Sequence, residues 1–372
     1  MSTMGIIFAN IYDSSLGELT NKRTMASLPY GGRYRQIDFS LSNMTNSGIR
    51  HIGVITKYNY QSLMNHIGSG QEWDLELEEG GLEFLSPYAT DHNASYRGKL
   101  EALSSAMSFL TYAKEEYVIL VDSGVLCAID FNELIENHIA SGADVTVCVK
   151  KGIANGEKLL DMAVKVDKKN VITDLAVDYA ADESYLASMG IFVMRRDRLI
   201  REVTEAVAHN RFRFERDMVL HGYTNGSLTI NAYSFQGVAL FNESTAEFFH
   251  NNLALLDRSV RDGIFRRPGR TIYTKVRNEI PSYYGESSEI DDCMVADGCV
   301  LEGTAIHSIL FRGVKLGKNA VVKDSIIMSD AAIGEGAELE YVILDKDVVV
   351  GAGKKLCGTY EHPLILKRGE IV

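Results

Sequence analysis

The chain is poor in cysteine, with five in 372 residues, an odd number and no C-x-x-C pair, so neither a disulfide framework nor a zinc motif is expected. No apolar run reaches the length of a membrane-spanning helix, and the N-terminus carries no signal-peptide pattern. A cytoplasmic location with reduced thiols is the expectation. Positive charge is in deficit: 38 Lys and Arg stand against 50 Asp and Glu, a formal net charge of −12. That balance argues against nucleic acid or an anionic membrane as the main partner, while leaving room for a local basic pocket. The most informative lack is local. The apolar run Ile6–Ala9 reads as a buried strand of a parallel sheet. In a nucleotide-binding α/β fold the turn after such a strand is glycine-rich, so that backbone N–H groups can approach phosphates. Here no glycine occurs between Asn10 and Gly17, and Asp13, the only charge before Glu18, is a carboxylate that repels a triphosphate. The place for a phosphate loop is present and the loop is missing.

The chain has room for two domains and a sizeable core. Its first two-thirds alternates apolar strands with amphipathic helices, which implies βαβ units and a mostly parallel sheet with helices on both faces. Further strands are read at Arg50–Thr56, Tyr117–Val121, Val145–Val149 and Ile191–Met194, with Val145–Val149 central. Residues 162–178 alternate as a hairpin or an edge does. Helices are read over Lys99–Glu116, where Leu100, Leu103, Met107 and Leu110 share one face, and over Arg198–Ala208. Phe241–Arg270 reads as a helix and connector. From Ile280 the helical period vanishes, and Leu316-Gly317, Ile333-Gly334 and Val350-Gly351 recur at about 17 residues, one coil of a parallel β-helix. The apolar residues, with Ile326, Ile327, Val342 and Ile343, would point inward, and each glycine would take a tight corner. The division is thus 1–240, an α/β domain without its phosphate loop; 241–280, helix and linker; and 281–372, the β-helix. Open β-helix ends need covering, so an oligomer is expected.

Pro29-Tyr30-Gly31-Gly32-Arg33-Tyr34-Arg35-Gln36-Ile37-Asp38-Phe39 and its continuation to Asn43 resemble the ADP-glucose pyrophosphorylases (glucose-1-phosphate adenylyltransferases). So do Asn46–Ile49, His66–Gly70 with Trp73-Asp74-Leu75, and Ala187–Val193. The resemblance runs in order over nearly the whole chain, and within the family it is to the GlgD-type, non-catalytic branch. It implies a Rossmann-like nucleotidyltransferase domain, a C-terminal left-handed β-helix, and tetramers. The family joins glucose 1-phosphate to ATP and releases pyrophosphate. That chemistry needs donors and cations for the triphosphate, aspartates for Mg²⁺ and a cation for the sugar phosphate.

Matched motif by motif, the family's functional positions are replaced here. Its triphosphate loop falls on Asn10–Leu16, with Ser15 at the arginine position, and its nearby lysine falls on Met25. The two metal aspartates fall on Gly124 and Arg213; Asp122 is the nearest carboxylate and the one metal candidate, and it reads more simply as an aspartate ending a strand. No lysine lies at Asp174–Tyr179, where the sugar-phosphate cation is expected. The resemblance therefore implies no catalytic residues and no cofactor on this chain, with Mg²⁺ held by a catalytic partner subunit. Lys22, Arg23, Arg35 and Arg97 match positions in the family's effector cleft, where phosphorylated metabolites or AMP bind. Those cations suit phosphate, although surface charges or intersubunit salt bridges would leave the same pattern.

Three readings follow. The first is a regulatory subunit in a hetero-oligomer, expected to be a tetramer, with a catalytic ADP-glucose pyrophosphorylase subunit serving glycogen synthesis. The second is an enzyme in its own right with a relocated site around Asp122 and Lys99. The third, a β-helix acyltransferase, lacks a histidine in a coil-to-coil loop, His307 being read inside a coil. His66, Trp73-Asp74 and Lys354-Lys355 read as structural or solvated residues.

Overall fold

The computed structural model describes residues 2–10, 13–86 and 96–372. Nine strands form one sheet: β1 (Thr3–Phe8), β2 (His51–Ile55), β3 (Gly81–Leu85), β4 (Tyr117–Asp122), β5 (Val145–Lys150), β6 (Ala163–Val166), β7 (Ile172–Ala176), β8 (Leu186–Arg195) and β9 (Ile230–Ser234). Their order is β7-β6-β8-β4-β1-β2-β3, and β5 also pairs with β8 and carries β9 on its other side. Strands β4, β1, β2 and β3 run parallel. Strand β8 is antiparallel to β4 and β5, so the sheet is mixed around a parallel centre. β1 and β4 are buried almost throughout, because apolar residues on both of their faces are covered by helices. On one side Ile6, Leu120 and Phe192 pack with Leu100, Leu103, Leu110, Leu199 and Val203. On the other Ile7, Val54 and Val121 pack with Ile37, Leu41, Leu134 and Ile135.

Residues 162–178 form the antiparallel pair β6–β7 at one margin of the sheet, and β5 lies in its interior. Two strands escaped the sequence reading. β3 is an edge strand with only one fully buried residue, and β9 is too polar (Asn231, Ser234) to stand out. The helix read over Lys99–Glu116 breaks into Lys99–Ser105 and Met107–Tyr112 around Ala106. Ser104 and Ser105 precede the break, and the Ser105 hydroxyl donates to the Glu101 carbonyl (3.2 Å), a local bond that competes with the helix ladder.

The C-terminal unit is a β-helix of three five-stranded parallel sheets. The register Leu316↔Ile333↔Val350 gives coils of 17 residues. Leu316, Ile333 and Val350 point inward with Val322, Leu339, Ile327, Val342 and Leu344. Ile326 and Ile343, read as inward, face out instead. Strand alternation turns them onto Phe248, Phe249 and Leu255, and the same cluster takes in Tyr30 and Phe39 of the N-terminal domain. Residues 241–280 are therefore a wedge that shares one core with both neighbours, built from Thr245–Leu253 and Arg258–Phe265, and its strap is tied to the helix Gln36–Asn46 through Tyr273 N–H to Ser42 Oγ (2.8 Å). The strand Ala239–Phe241 straddles the expected boundary at 240, since it pairs with Val125–Cys127.

The repeat glycines do a different job from the one expected. Gly334 has no left-handed backbone; a Cβ there would lie 2.6 Å from Ala352 N on the next coil. The left-handed corners fall instead on Asn319 (φ 57°), Gly336 (φ 69°) and Gly353 (φ 67°). All five cysteines are free, and among the described residues no helix is long and apolar enough to cross a membrane. Gly334→Ala should force adjacent coils apart and cost about 1–3 kcal/mol, the usual penalty of overpacking, read as a lowered unfolding midpoint by circular dichroism. An unchanged midpoint would contradict the coil-contact role.

Candidate functional site

The carboxyl ends of β1 and β4 are where an open α/β sheet places its ligand. Within the turn after β1, Ile11 and Tyr12 lie outside the described residues. Asp13 is buried and faces into the turn: Oδ1 accepts the Met25 N–H (2.8 Å), Oδ2 accepts from the Asn10 amide, and its carbonyl accepts the Thr20 hydroxyl (2.5 Å). Burial raises its carboxyl above the ordinary aspartate value, against the Asn10 and Met25 hydrogen bonds. The turn is thus tied by an internal carboxylate where a phosphate-binding loop would offer its N–H groups. Ser15 is exposed and donates to the Glu243 carbonyl, and Met25 is fully buried. The Gly124 carbonyl accepts the Asn242 N–H (2.9 Å).

Asp122, at the end of β4, is 3% exposed and does not stand alone. Lys99, the first residue of the helix Lys99–Ser105, places Nζ 2.6 Å from Asp122 Oδ2 and against Glu215 Oε1. Burial alone would lower the Lys99 ammonium, but the charges of Asp122 and Glu215 outweigh it and hold it above the ordinary lysine value. Arg213, at the expected second metal position, instead bonds Asp178 at 2.9 Å beside Arg216. Among the described residues no group of three or more His, Cys, Asp or Glu is placed to hold a metal. A resident Mg²⁺ therefore does not fit this end of the sheet: a side-chain ammonium already sits between its two carboxylates.

A second site lies between the N-terminal domain and the β-helix. Arg23 is buried and ion-paired with buried Asp345 of the β-helix. Arg35, 8% exposed, donates Nη1 to the Ser62 carbonyl (2.7 Å) and hydroxyl (2.9 Å). Burial lowers the Arg35 guanidinium to about 10, although Asp38 pulls the other way. Beside it opens a cleft whose lining holds six cations (Arg33, Arg35, Lys275, Arg277, Arg312 and Lys346) and no carboxylate. Burial, then repulsion from Arg35, Arg23 and Arg277, pushes Lys346 down to about 7. Arg312 Nε is buried with no hydrogen-bond partner. The space among the six cations is narrow, about 20 Å³, and the carboxylates of Asp38, Asp345, Asp297 and Glu279 act on them from outside the lining; the excess of guanidinium and ammonium groups still leaves the cleft electropositive, a character that favours anions at its mouth.

The remaining candidates separate. Lys22 is exposed at a neighbouring hollow with Arg23, Lys367 and Arg368. Arg97 stands apart from the other three: it pairs with Glu101 (2.6 Å) and lies 3.5 Å over the Phe212 ring, outside the cleft lining. His66 is structural, with Nε2 2.5 Å from Asp38 Oδ1, and Trp73 is buried with its Nε1–H on Ser42 Oγ (3.2 Å). His307 sits at a coil corner (φ 44°), not inside a strand, 2.6 Å from Asp324. The sequence reading missed Glu215, Asp345 and most of the cleft cations. The signal was the 17-residue period. Arg312, Ser329 and Lys346 form one column of lining residues, and Asp345 stands in the adjoining buried column after Phe311 and Met328.

The fold is that of the nucleotidyl transferase family followed by a hexapeptide-repeat β-helix. A family model described as "Nucleotidyl transferase" matches residues 5–213, and one described as "GlmU-like, C-terminal hexapeptide" matches residues 280–361. The chain is 32% identical over 366 residues to the glycogen biosynthesis protein GlgD of Bacillus subtilis (strain 168), covering 98% of this chain and 96% of that one. It is 30% identical over 363 residues to the glucose-1-phosphate adenylyltransferases of Bacillus anthracis and Bacillus thuringiensis (strain Al Hakam), covering 94% of this chain and 93% of each of those. The chain belongs to the glucose-1-phosphate adenylyltransferase family, in its GlgD-type branch.

Removing one partner of a buried ion pair leaves a charge without compensation. Arg23→Met should therefore cost about 3–5 kcal/mol in denaturant unfolding, and Arg23→Met with Asp345→Leu should recover most of it. Equal losses in single and double variants would mean that the pair holds the two units together by some other contact.

Proposed function

We propose that the chain is a regulatory, catalytically impaired subunit of glucose-1-phosphate adenylyltransferase, acting on a catalytic partner subunit in glycogen biosynthesis. The observation that carries this reading is the Lys99 ammonium held between Asp122 and Glu215 at the carboxyl end of the central strands. A reaction that joins ATP to glucose 1-phosphate develops negative charge on phosphates, and among the described residues this end of the sheet has its carboxylates engaged by Lys99 and its turn tied by Asp13. The competing reading, a competent sugar-1-phosphate nucleotidyltransferase with a relocated metal, requires Asp122 as a ligand, and that carboxylate is already bound by Lys99.

The cleft of Arg33, Arg35, Lys275, Arg277, Arg312 and Lys346 supports the regulatory half of the proposal. The space among these side chains is only about 20 Å³, so a phosphorylated metabolite would place a phosphate at its mouth rather than within it, and there the phosphate would meet cations of both domains. Its binding energy then depends on how the domains are set, which is the differential interaction that coupling to a partner requires; about 1–3 kcal/mol would suffice.

The reading is tested by ADP-glucose formation with Mg²⁺ from this chain alone, from the catalytic subunit alone and from the two co-purified. No turnover by this chain, with altered kinetics in the mixture, is the expected result; robust turnover alone would refute the proposal. A second test uses sulfate, which does not titrate near neutrality. Lys346 carries its proton below its depressed value of about 7, and above it an anion must draw a proton in. Sulfate affinity should therefore fall as pH rises from 7, by up to about tenfold per unit, and Lys346→Met should flatten the profile. A flat profile in the unaltered chain would remove Lys346 from the anion site.

A further inference from the structure

The disagreement between the fold's need for a divalent cation and the residues at the sheet end leads beyond an account of lost catalysis. Those residues form a finished site rather than a ruin. Asp122 pairs with Phe8 in the register of β4 and β1, at the carboxyl ends of two central parallel strands. Its burial depends on a bulge in β8. The register shifts between Ser188 and Ile191, Gly190 takes φ 64°, and a Cβ at Gly190 would fall 2.4 Å from Asp122 Oδ2. Glu215 comes from the π-helical turn Phe214–Leu220, which brings it to the same point. Lys99, 10% exposed, reaches both carboxylates. Its Nζ lies 5.6 Å from the Phe8 ring and 5.9 Å from the Phe192 ring, so aromatic faces complete a dry, cation-favouring shell.

One atom remains unmatched. Asp122 Oδ1 is buried and has no hydrogen-bond partner, although its sister oxygen is bonded to Lys99. Lys99 spends its bonds here on Asp122 Oδ2 and Glu215 Oε1, and in this geometry Asp122 Oδ1 is left over. A divalent ion, which takes one or two carboxylates and completes its shell with water, uses such an oxygen.

We propose that Lys99 is a tethered cation standing in for the divalent metal of this fold, and that Asp122 and Glu215 form a latent divalent-cation site which the Lys99 side chain keeps closed. In this arrangement the sheet end holds its geometry without any metal in solution. This is independent of whether the chain regulates a partner, because it concerns only what fills the cation position.

The test is Mn²⁺ binding to the full chain, read by electron paramagnetic resonance and calorimetry. The variants are Lys99→Met, which keeps the side-chain length without the charge, and Lys99→Met combined with Asp122→Asn and Glu215→Gln. The unaltered chain should show no saturable Mn²⁺ site. Lys99→Met should gain one equivalent, at least about tenfold tighter than the residual binding of the triple variant, and Mn²⁺ should raise its unfolding midpoint but not that of the unaltered chain. Should Lys99→Met be recovered folded only when purified with Mn²⁺, that rescue is itself the expected result. The proposal is overturned if Lys99→Met binds no more Mn²⁺ than the triple variant. It is equally overturned if Lys99→Met stays unfolded with Mn²⁺ while the triple variant folds, or if the unaltered chain already binds one equivalent that Asp122→Asn abolishes.

Discussion

A charge taken out of water must find its counter-charge in the protein or give it up, and this molecule is arranged around that constraint. The Arg23–Asp345 pair is its clearest instance: both side chains are buried, and they come from opposite units of the chain. Asp345 stands in a column of the β-helix where the preceding coils carry Phe311 and Met328. One aspartate in an apolar column can be buried only if a cation is delivered to it, and the turn after the first strand delivers Arg23. The apolar cluster from Tyr30 and Phe39 through Phe248 and Phe249 to Ile326 and Ile343 supplies area for the contact, while the ion pair sets its register.

The same constraint is met in opposite ways at the two sites. At the end of the sheet the chain answers its own charges. Asp13 takes the Met25 N–H and the Asn10 amide, and Lys99 answers Asp122 and Glu215. A carboxylate thus stands where phosphate would be expected, and, on the proposal above, an ammonium where a metal would be. In the interdomain cleft six cations line a space without one carboxylate, and both Arg35 and Lys346 are held below their ordinary values, Lys346 in part by the neighbouring cations. The first site is electrostatically closed and the second is electrostatically open.

The general architecture was legible in the sequence because buried parallel strands and coil repeats leave strong periods. Ile6–Ala9, Tyr117–Val121 and the 17-residue recurrence of Leu316, Ile333 and Val350 each fell close to its observed element. Less was legible where a residue's job depends on what lies across from it. Alternation alone could not say which of Ile326 and Ile327 faces the prism and which the neighbouring unit. The glycine after each apolar residue was read as a corner, when the next coil's backbone is what forbids a side chain at Gly334. Arg97 and Arg35 looked equivalent as matched cations, yet one stacks on Phe212 at the surface and the other is buried beside the cleft. Lys99–Asp122–Glu215 unites residues far apart in the chain, and no spacing rule announces such a trio.

The position of the open cleft bears on what an anion there would do. Its cations come from three segments: Arg33 and Arg35 follow the first turn of the N-terminal domain, Lys275 and Arg277 lie on the strap, and Arg312 and Lys346 stand on separate coils of the β-helix. Without an anion these segments repel one another at the place where the buried core and the Arg23–Asp345 pair hold them together. An anion reverses the sign of that contribution without touching the apolar contact. A ligand changes a conformational balance only by interacting differently with the alternatives, and under the regulatory reading proposed above a seat shared by three cationic segments would supply that difference. The sheet end, with its charges already answered, has no such leverage, so under the regulatory reading proposed above the cleft is where an anion would act on the arrangement of the two units.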